Sequence, residues 1–349
     1  MNRASDVNRA SDAAWPRPPQ AGSPHASRRA RPGADGPNGV LVVAKPAGPT
    51  SHDIVALVRR LSGAKRVGHG GTLDPFASGV LPVFVGSATR MVEYHLHDAK
   101  AYRALVCFGA RSTTDDIEGE LSPGEAAPPA REAVEALLPA FVGRVVQRPP
   151  AYSAVKVGGR RAYEMARRGE QPVLRDREVE IHELQLTGWD DDPTRPCATL
   201  EVRCSAGTYV RALARDLGER LGCGAYLVTL VRTASGPFRI ADAIELDELR
   251  RLLAAGSLAG RLLPPDIGLD AYPAVSLAPV ELAAIARGQV VRLRGEPPAP
   301  GPDGLVRVVA EEQGLVAMAR LRDRRLYPDK VLAGAATGGV AGATGTATD

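Results

Sequence analysis

Aromatic side chains are scarce in this 349-residue chain, where Phe, Trp and Tyr together make up 4%. Cysteine is scarcer still, four residues in all (Cys107, Cys197, Cys204 and Cys223), and no two stand in a C-x-x-C spacing. That excludes a spacing-coded zinc site and predicts small buried thiols of a reducing cytoplasm, with no disulfide frame. No apolar run of about 18 residues exists, which excludes a transmembrane helix. The N-terminus has no apolar stretch ahead of a small-residue cleavage site, so secretion is not expected. A strong charge imbalance is also missing. Lys and Arg number 44 against 40 Asp and Glu, leaving +4, and six Arg against three Asp in the first 37 residues supply most of it. Such a balance permits nucleic-acid binding without announcing it. A cytoplasmic protein is expected.

What is present is enough length for two domains and two tails. Residues 1–37 are rich in Arg, Ala, Ser, Asp and Pro, with NRASD written twice (Asn2–Asp6 and Asn8–Asp12). They carry almost no large apolar side chains and are predicted to be disordered, as is the Gly/Ala/Thr stretch Gly334–Asp349. Order is predicted to begin with a strand at Val40–Pro46. Ser51 is expected to cap a helix with Ile54, Val55, Val58 and Leu61 inward. A Gly-rich loop over Gly68–Gly79 precedes a buried strand, Val80–Val85. Period-two alternation predicts strands around Tyr102–Phe108, Val179–Leu186 and Leu200–Cys204. Ala130–Val142 reads as a helix. A second helix follows Gly207-Thr208, with Val210, Leu213, Leu217 and Leu221 inward and Gly222 as its stop. This mixture without regular βαβ alternation predicts an α+β fold on a mixed or largely antiparallel sheet. Beyond a linker at Pro264–Tyr272, a helix at Val280–Arg287 and strands at Leu305–Ala310 and Leu315–Leu321 suggest a small β-rich second domain.

The most informative segment is Gly68-His-Gly-Gly-Thr-Leu-Asp-Pro-Phe-Ala-Ser-Gly-Val-Leu-Pro82. Its glycines permit sharp turns and close approach of a flat ligand, and Pro75 stiffens the presentation of Asp74. It is not a phosphate loop: Gly63–Gly68 has the P-loop spacing, but His69 and Gly70 follow where Lys and Ser/Thr are needed. The dinucleotide pattern fails as well, because Asp74-Pro75 lies where a helix should start. Asp74 thus reads either as a turn carboxylate or as a reactive group, and His69 as a loop histidine or a functional one. The pair His95-x-His97 lacks a partner at ligand spacing and does not read as a metal site. The acidic run Asp115, Asp116, Glu118, Glu120 reads as a solvated turn. Arg211 falls in the first turn of its helix, where a cation opposes the helix dipole by about 0.3–1 kcal/mol. It is either screened by solvent or held by an anion, a phosphate or a buried carboxylate such as Asp74. Basic residues cluster at Arg59, Arg60, Lys65 and Arg66, and again at Lys156, Arg160, Arg161, Arg167 and Arg168 beside Tyr152 and Tyr163. Cations contact phosphates and aromatics stack on unpaired bases, so several such patches favour RNA.

The run GHGGTLDPFASGVLP closely resembles the catalytic-Asp motif of the bacterial tRNA pseudouridine-55 synthase family. The likeness continues through Lys45-Pro46, Lys100-Ala101-Tyr102, Gln147-Arg-Pro-Pro-Ala-Tyr-Ser-Ala-Val-Lys156, Cys204-Ser-Ala-Gly-Thr-Tyr-Val-Arg-Ala212 and Leu217-Gly-Glu-Arg-Leu-Gly-Cys-Gly-Ala225, so it spans Gly39 to Leu332 in order. The resemblance implies a pseudouridine-synthase-like catalytic domain over residues 38–265 and a PUA-like RNA-binding domain over 272–333. It implies isomerisation of uridine 55 in the tRNA T-loop by base flipping, with no cofactor and no metal, by a monomer that contacts the T-arm. Asp74 would be the essential carboxylate, Tyr102 would stack on the extruded base and help move protons, and Arg211 would pair with Asp74 and keep it charged. Leu230 would pack beside the base and His69 would fill the gap it leaves. Gly71, Thr72, Lys45, Tyr209 and Lys156 would complete the substrate contacts. Two positions depart from the family's pattern: Ala44 stands where Asp commonly precedes Lys-Pro, and Thr113 where an acidic residue is usual. Two alternatives are a non-catalytic tRNA-binding or RNA-chaperone protein on the same fold, and a carboxylate glycosidase, for which a second motif-borne acid is missing.

Overall fold

The computed structural model describes residues 36–153, 156–162, 165, 168–170 and 172–332. Apart from Gly36 and Pro37, the two tails predicted to be disordered lie outside the described residues, as do Tyr163 and Arg167 of the second basic cluster. Strand β1 (Gly39–Lys45) is buried along its whole length, as its unbroken apolar run requires of a strand covered on both faces. Thr50, not Ser51, caps helix α1 (Ser51–Ser62). Its hydroxyl accepts from the Asp53 amide at 3.1 Å, and the Asp53 carboxylate accepts from the Thr50 amide at 2.8 Å. Ile54, Val55 and Val58 face inward as predicted, whereas Leu61 is 38% exposed.

The Gly-rich segment runs from a short strand, β2 (Val67–His69), into β3 (Ser78–Val85). Strand β4 (Lys100–Phe108) follows. The helix expected over Ala130–Val142 is α2 (Arg131–Leu137) continued by a tighter turn over Leu138–Phe141, because Pro139 cannot extend the α-helical ladder. Then come β5 (Gly143–Gln147), β6 (Arg177–Asp190) and β7 (Cys197–Cys204), helix α3 (Val210–Arg220), β8 (Ala225–Ser235), the short β9 (Ile244–Glu245) and α4 (Leu246–Ala254). The strands form one mixed sheet in the order β9-β1-β3-β8-β4-β7-β6-β5, with β2 added to β3. Strand β8, which the periodicity did not reveal, is central: it pairs parallel with β3 and antiparallel with β4.

The second sheet comprises β10 (Ala274–Ser276), β11 (Val291–Arg292), β12 (Leu305–Ala310), β13 (Gly314–Arg322) and β14 (Arg325–Val331), ordered β10-β12-β13-β14-β11. Helix α5 (Pro279–Ala286) lies close to its predicted place. One apolar core joins α2 and α3 to the main sheet through Val134, Phe141, Leu213 and Leu217. Another lies under α1 and α4. A third ties the two sheets together through Val42, Phe84, Met91, Leu305 and Met318.

Cys107 of β4 and Cys197 of β7 stand opposite each other in the antiparallel register and are joined by a disulfide, with Cα atoms 4.1 Å apart. This corrects the expectation of four reduced thiols. The partners are 90 residues apart in sequence, so only the register brings them together. Cys204 and Cys223 are free and buried.

Candidate active site

The loop that carries Asp74 is fixed from three sides. From α1, the Ser51 hydroxyl accepts from the Leu73 amide at 2.9 Å and donates to the Leu73 carbonyl at 3.2 Å. This explains why Ser51 does not cap its own helix. From β1, the Lys45 ammonium donates to the carbonyls of Pro46 (2.8 Å), Pro49 (2.8 Å) and Pro75 (3.3 Å). From β8, Arg232 donates to the carbonyls of Gly71 and Thr72. The loop then leaves into β3 at Gly79, whose φ is +105° and where an added Cβ would lie 2.2 Å from the Arg232 carbonyl oxygen. Only glycine allows β3 to approach β8 there.

Asp74 meets Arg211 at 3.0 Å. The same guanidinium lies 3.2 Å from Asp116 and donates to the carbonyls of Tyr152 (2.9 Å) and Thr114 (3.3 Å). A cation placed against the dipole of α3 is therefore held by two carboxylates. Asp116 is 2% exposed, which corrects its reading as part of a solvated turn. Its other oxygen accepts from the Thr114 hydroxyl at 2.5 Å and the Glu118 amide at 3.0 Å. Next to it, Asp115 pairs with Arg215 at 2.9 Å, one helical turn beyond Arg211. Two adjacent acids thus lock the 112–120 turn onto α3.

Burial pushes the Asp74 carboxyl above its ordinary range, Arg211 pulls it back, and Asp116 adds to the rise. Arg211 favours the charged carboxylate as expected, but desolvation outweighs the ion pair. The result is a more basic carboxylate than one in water.

Tyr102 and Leu230 share the apolar cluster around Leu73 and Phe76. Burial drives the Tyr102 phenol up to about 12, with Arg232 opposing the shift. His69 is half-buried at the end of β2, where its Nδ1 accepts from the Gly71 amide at 3.3 Å. Burial first, then the charges of Arg232 and His52, hold its pKa down and favour the neutral ring. Gly71 and Thr72 form the turn between His69 and Asp74. Tyr209 precedes α3, with Arg177 5.7 Å above its ring. The side-chain amide of Gln147 clamps the Tyr209 backbone, accepting from its N–H at 3.1 Å and donating to its carbonyl at 3.3 Å.

Two expected substrate contacts stand differently. Lys45 is 1% exposed and its ammonium is spent on three carbonyls, so it fastens the Asp74 loop and does not face an incoming ligand. Burial lowers its pKa to about 8. Lys156 opens a two-residue strand, and its side chain lies outside the described residues. Asp116, Arg232 and Gln147 escaped the sequence reading. Among the described residues, His, Cys, Asp and Glu form no group of three that could hold a metal ion.

The family model described as TruB family pseudouridylate synthase (N terminal domain) matches residues 59–210, and that of the tRNA pseudouridylate synthase B C-terminal domain matches 211–270. The chain is 44% identical over 299 residues to the tRNA pseudouridine synthase B of Bradyrhizobium diazoefficiens, covering 84% of this chain and 85% of that relative. This chain belongs to the TruB family. Identity is 42% to the tRNA pseudouridine synthase B of Acaryochloris marina, over 84% of this chain and 98% of the relative. An H/ACA RNP bound to a substrate RNA containing 2'-deoxyuridine holds a chain of the same fold: TM-score 0.61, 23% identity, covering 88% of this chain and 93% of that one. Asp74 and the Asp116 turn lie in the first matched segment, and Arg211 opens the second.

Proposed function

We propose that this TruB family enzyme isomerises the uridine at position 55 in the T-loop of tRNA to pseudouridine, with Asp74 as its one reacting carboxylate. The observation that carries the reading is the chain Asp74–Arg211–Asp116, a reactive-looking carboxylate held by a cation that is itself anchored by a buried acid. In the reaction the bond from C1′ to N1 breaks, a bond from C1′ to C5 forms, C5 loses a proton and N1 gains one. Atoms and electrons balance within one nucleotide, so the conversion itself calls for no redox partner and no water.

A glycoside hydrolase needs a second carboxylate to activate water; an isomerase must keep water out and retain the base. Leu73, Phe76 and Leu230 supply the apolar surround for that. Asp74 assists cleavage by attack at C1′, by taking the 2′ proton or by adding to C6, and all three routes need it ionised. Extruding the uridine costs a few kcal/mol. Stacking on Tyr102 returns about 1–3 kcal/mol of it, His69 enters the vacated stack, and Leu230, Gly71, Thr72 and Tyr209 line the base and its neighbours.

The second sheet is read as a PUA-like RNA-binding domain over 272–333, following a catalytic domain over 38–265. Its support is a five-stranded sheet with a core of its own around Val306, Val308 and Leu326. A monomer acting on the T-arm of tRNA is part of the same reading. A tRNA substrate supports a cytoplasmic place, and among the described residues no helix is long and apolar enough to cross a membrane. The Cys107–Cys197 disulfide is unusual for that compartment.

The test is release of tritium from tRNA labelled at uridine C5. Release by the parent and not by Asp74→Asn is expected. Tight tRNA binding without release would replace this reading with the RNA-chaperone alternative.

A further inference from the structure

Arg232 is one of the most deeply buried side chains in the protein, 1% exposed, and none of the chemistry above uses it. Its register is specific: it stands opposite Tyr102 on β4 and beside Gly79 on β3. All three guanidinium nitrogens donate to main-chain carbonyls, Nε to Val80 at 2.7 Å, Nη1 to Thr72 at 3.3 Å and Nη2 to Gly71 at 3.1 Å. Among the described residues no carboxylate pairs with it. A buried cation without a counter-ion is expensive, and a sheet interior is more cheaply filled by an apolar side chain. Burial chiefly holds Lys45, Lys100 and His69 below their ordinary pKa, and the charge of Arg232 adds to the lowering of each. The placement therefore has to be explained by what the fork joins.

It joins the two halves of the site. Gly71 and Thr72 lead directly into Asp74, and Tyr102 is the aromatic surface across from them. We propose that Arg232 is the positioning residue that fixes the Gly71-Thr72 turn against Tyr102, setting the gap between the carboxylate and the phenol into which the uridine must fit. A planar group with donors on three nitrogens holds three carbonyls and still lies against a phenol; an ammonium cannot reproduce that fork. Its electrostatic effect on the Tyr102 hydroxyl agrees with this placement. The inference rests on the reading of this chain as a tRNA uridine isomerase, and it adds a residue that never touches substrate.

Single-turnover conversion of C5-tritiated tRNA is measured for the parent, Arg232→Lys, Tyr102→Phe and the double variant, alongside tRNA affinity and thermal melting. Arg232→Lys is expected to lower the rate roughly 10–100-fold, the cost of a misplacement of about 1 Å, with tRNA Kd within about twofold. The double variant is expected to be no slower than the slower single variant, because both changes disable one arrangement. Arg232→Gln serves if the lysine variant does not fold. A folded variant with the parent's rate, losses that multiply in the double variant, or tRNA affinity falling in step with rate would each overturn the assignment, as would failure of both variants to fold. A parent that releases no tritium overturns the functional reading instead, and this inference with it.

Discussion

Two buried arginines wall the site, and they are satisfied in opposite ways. Arg211 is held by carboxylates, Asp74 at 3.0 Å and Asp116 at 3.2 Å. Arg232 is held by the carbonyls of Val80, Thr72 and Gly71. The first wall is electrostatic: three charges are coupled, and a change in any one alters the basicity of Asp74. The second is geometric, since carbonyl dipoles leave the reacting carboxylate's charge balance alone and fix where the loop lies. Neutral, same-shape substitutions should therefore shift the acid limb set by Asp74 when made on the Arg211 side and leave that limb in place on the Arg232 side.

The walls meet at Asp74, where the largest effect is expected. Asp74→Asn should reduce turnover by at least about 10³-fold while tRNA binding persists. Filter binding beside tritium release checks it, and near-parental turnover would remove the carboxylate from the chemistry. Next, Arg211→Ala should cost roughly 10²–10³-fold in kcat, the size of one preorganised charged donor. It should also cost about 3–5 kcal/mol of stability, because Asp116 is left buried without its cation. Denaturant unfolding and steady-state rates report the two losses separately.

Tyr102→Phe should lower kcat by about 10²-fold with little change in tRNA affinity, if the hydroxyl moves protons. Equal losses in both would make the ring a stacking surface only. Asp116→Asn should cost about tenfold in kcat from looser orientation of Arg211, and it should also move the acid limb. The Asp74 carboxyl is raised, so activity falls as pH drops through a value above the usual carboxylate range. Asp116 contributes to that rise, so neutralising it should carry the limb to lower pH. A limb that stays put would uncouple the two acids. The smallest effect on turnover should come from reducing the Cys107–Cys197 bond, which lies at the far end of β4 from Tyr102. The rate should stay within about twofold, while closing a 90-residue loop is worth about 4.6 kcal/mol in chain entropy, so Tm should fall on reduction.

The two walls also differ in how legible they were. Asp74 stood out because glycines and an Asp-Pro step surround it, and Arg211 because a cation in a first helical turn needs a reason. Asp116 did not, since four acids within six residues look like a hydrated turn until the register of α3 is known. Arg232 was invisible for a different reason. Strand β8 is covered on both faces, so Ala225–Ser235 has no clean alternation, and its arginine looked like any polar residue. Lys45 misled in the opposite direction, a cation in a family motif that turned out to be consumed by main-chain carbonyls. In the second sheet, β12 and β13 were readable from their apolar runs, whereas the charged strand β14 was not. The disulfide depended on sheet register alone.

The apolar seam between the two sheets makes the C-terminal part hard to treat as a detachable accessory. Met318 and Leu305 share one buried cluster with Phe84 and Met91, and Arg307 grips Asp266 at 3.0 Å across the segment that links the halves. Trimming the chain after the catalytic portion would strip this greasy underside bare, and the fragment should clump before its catalysis could be assayed. Losing RNA-binding surface and losing solubility would then look alike at the bench, and a seam charged by substitution would be the better way to ask what the second sheet contributes.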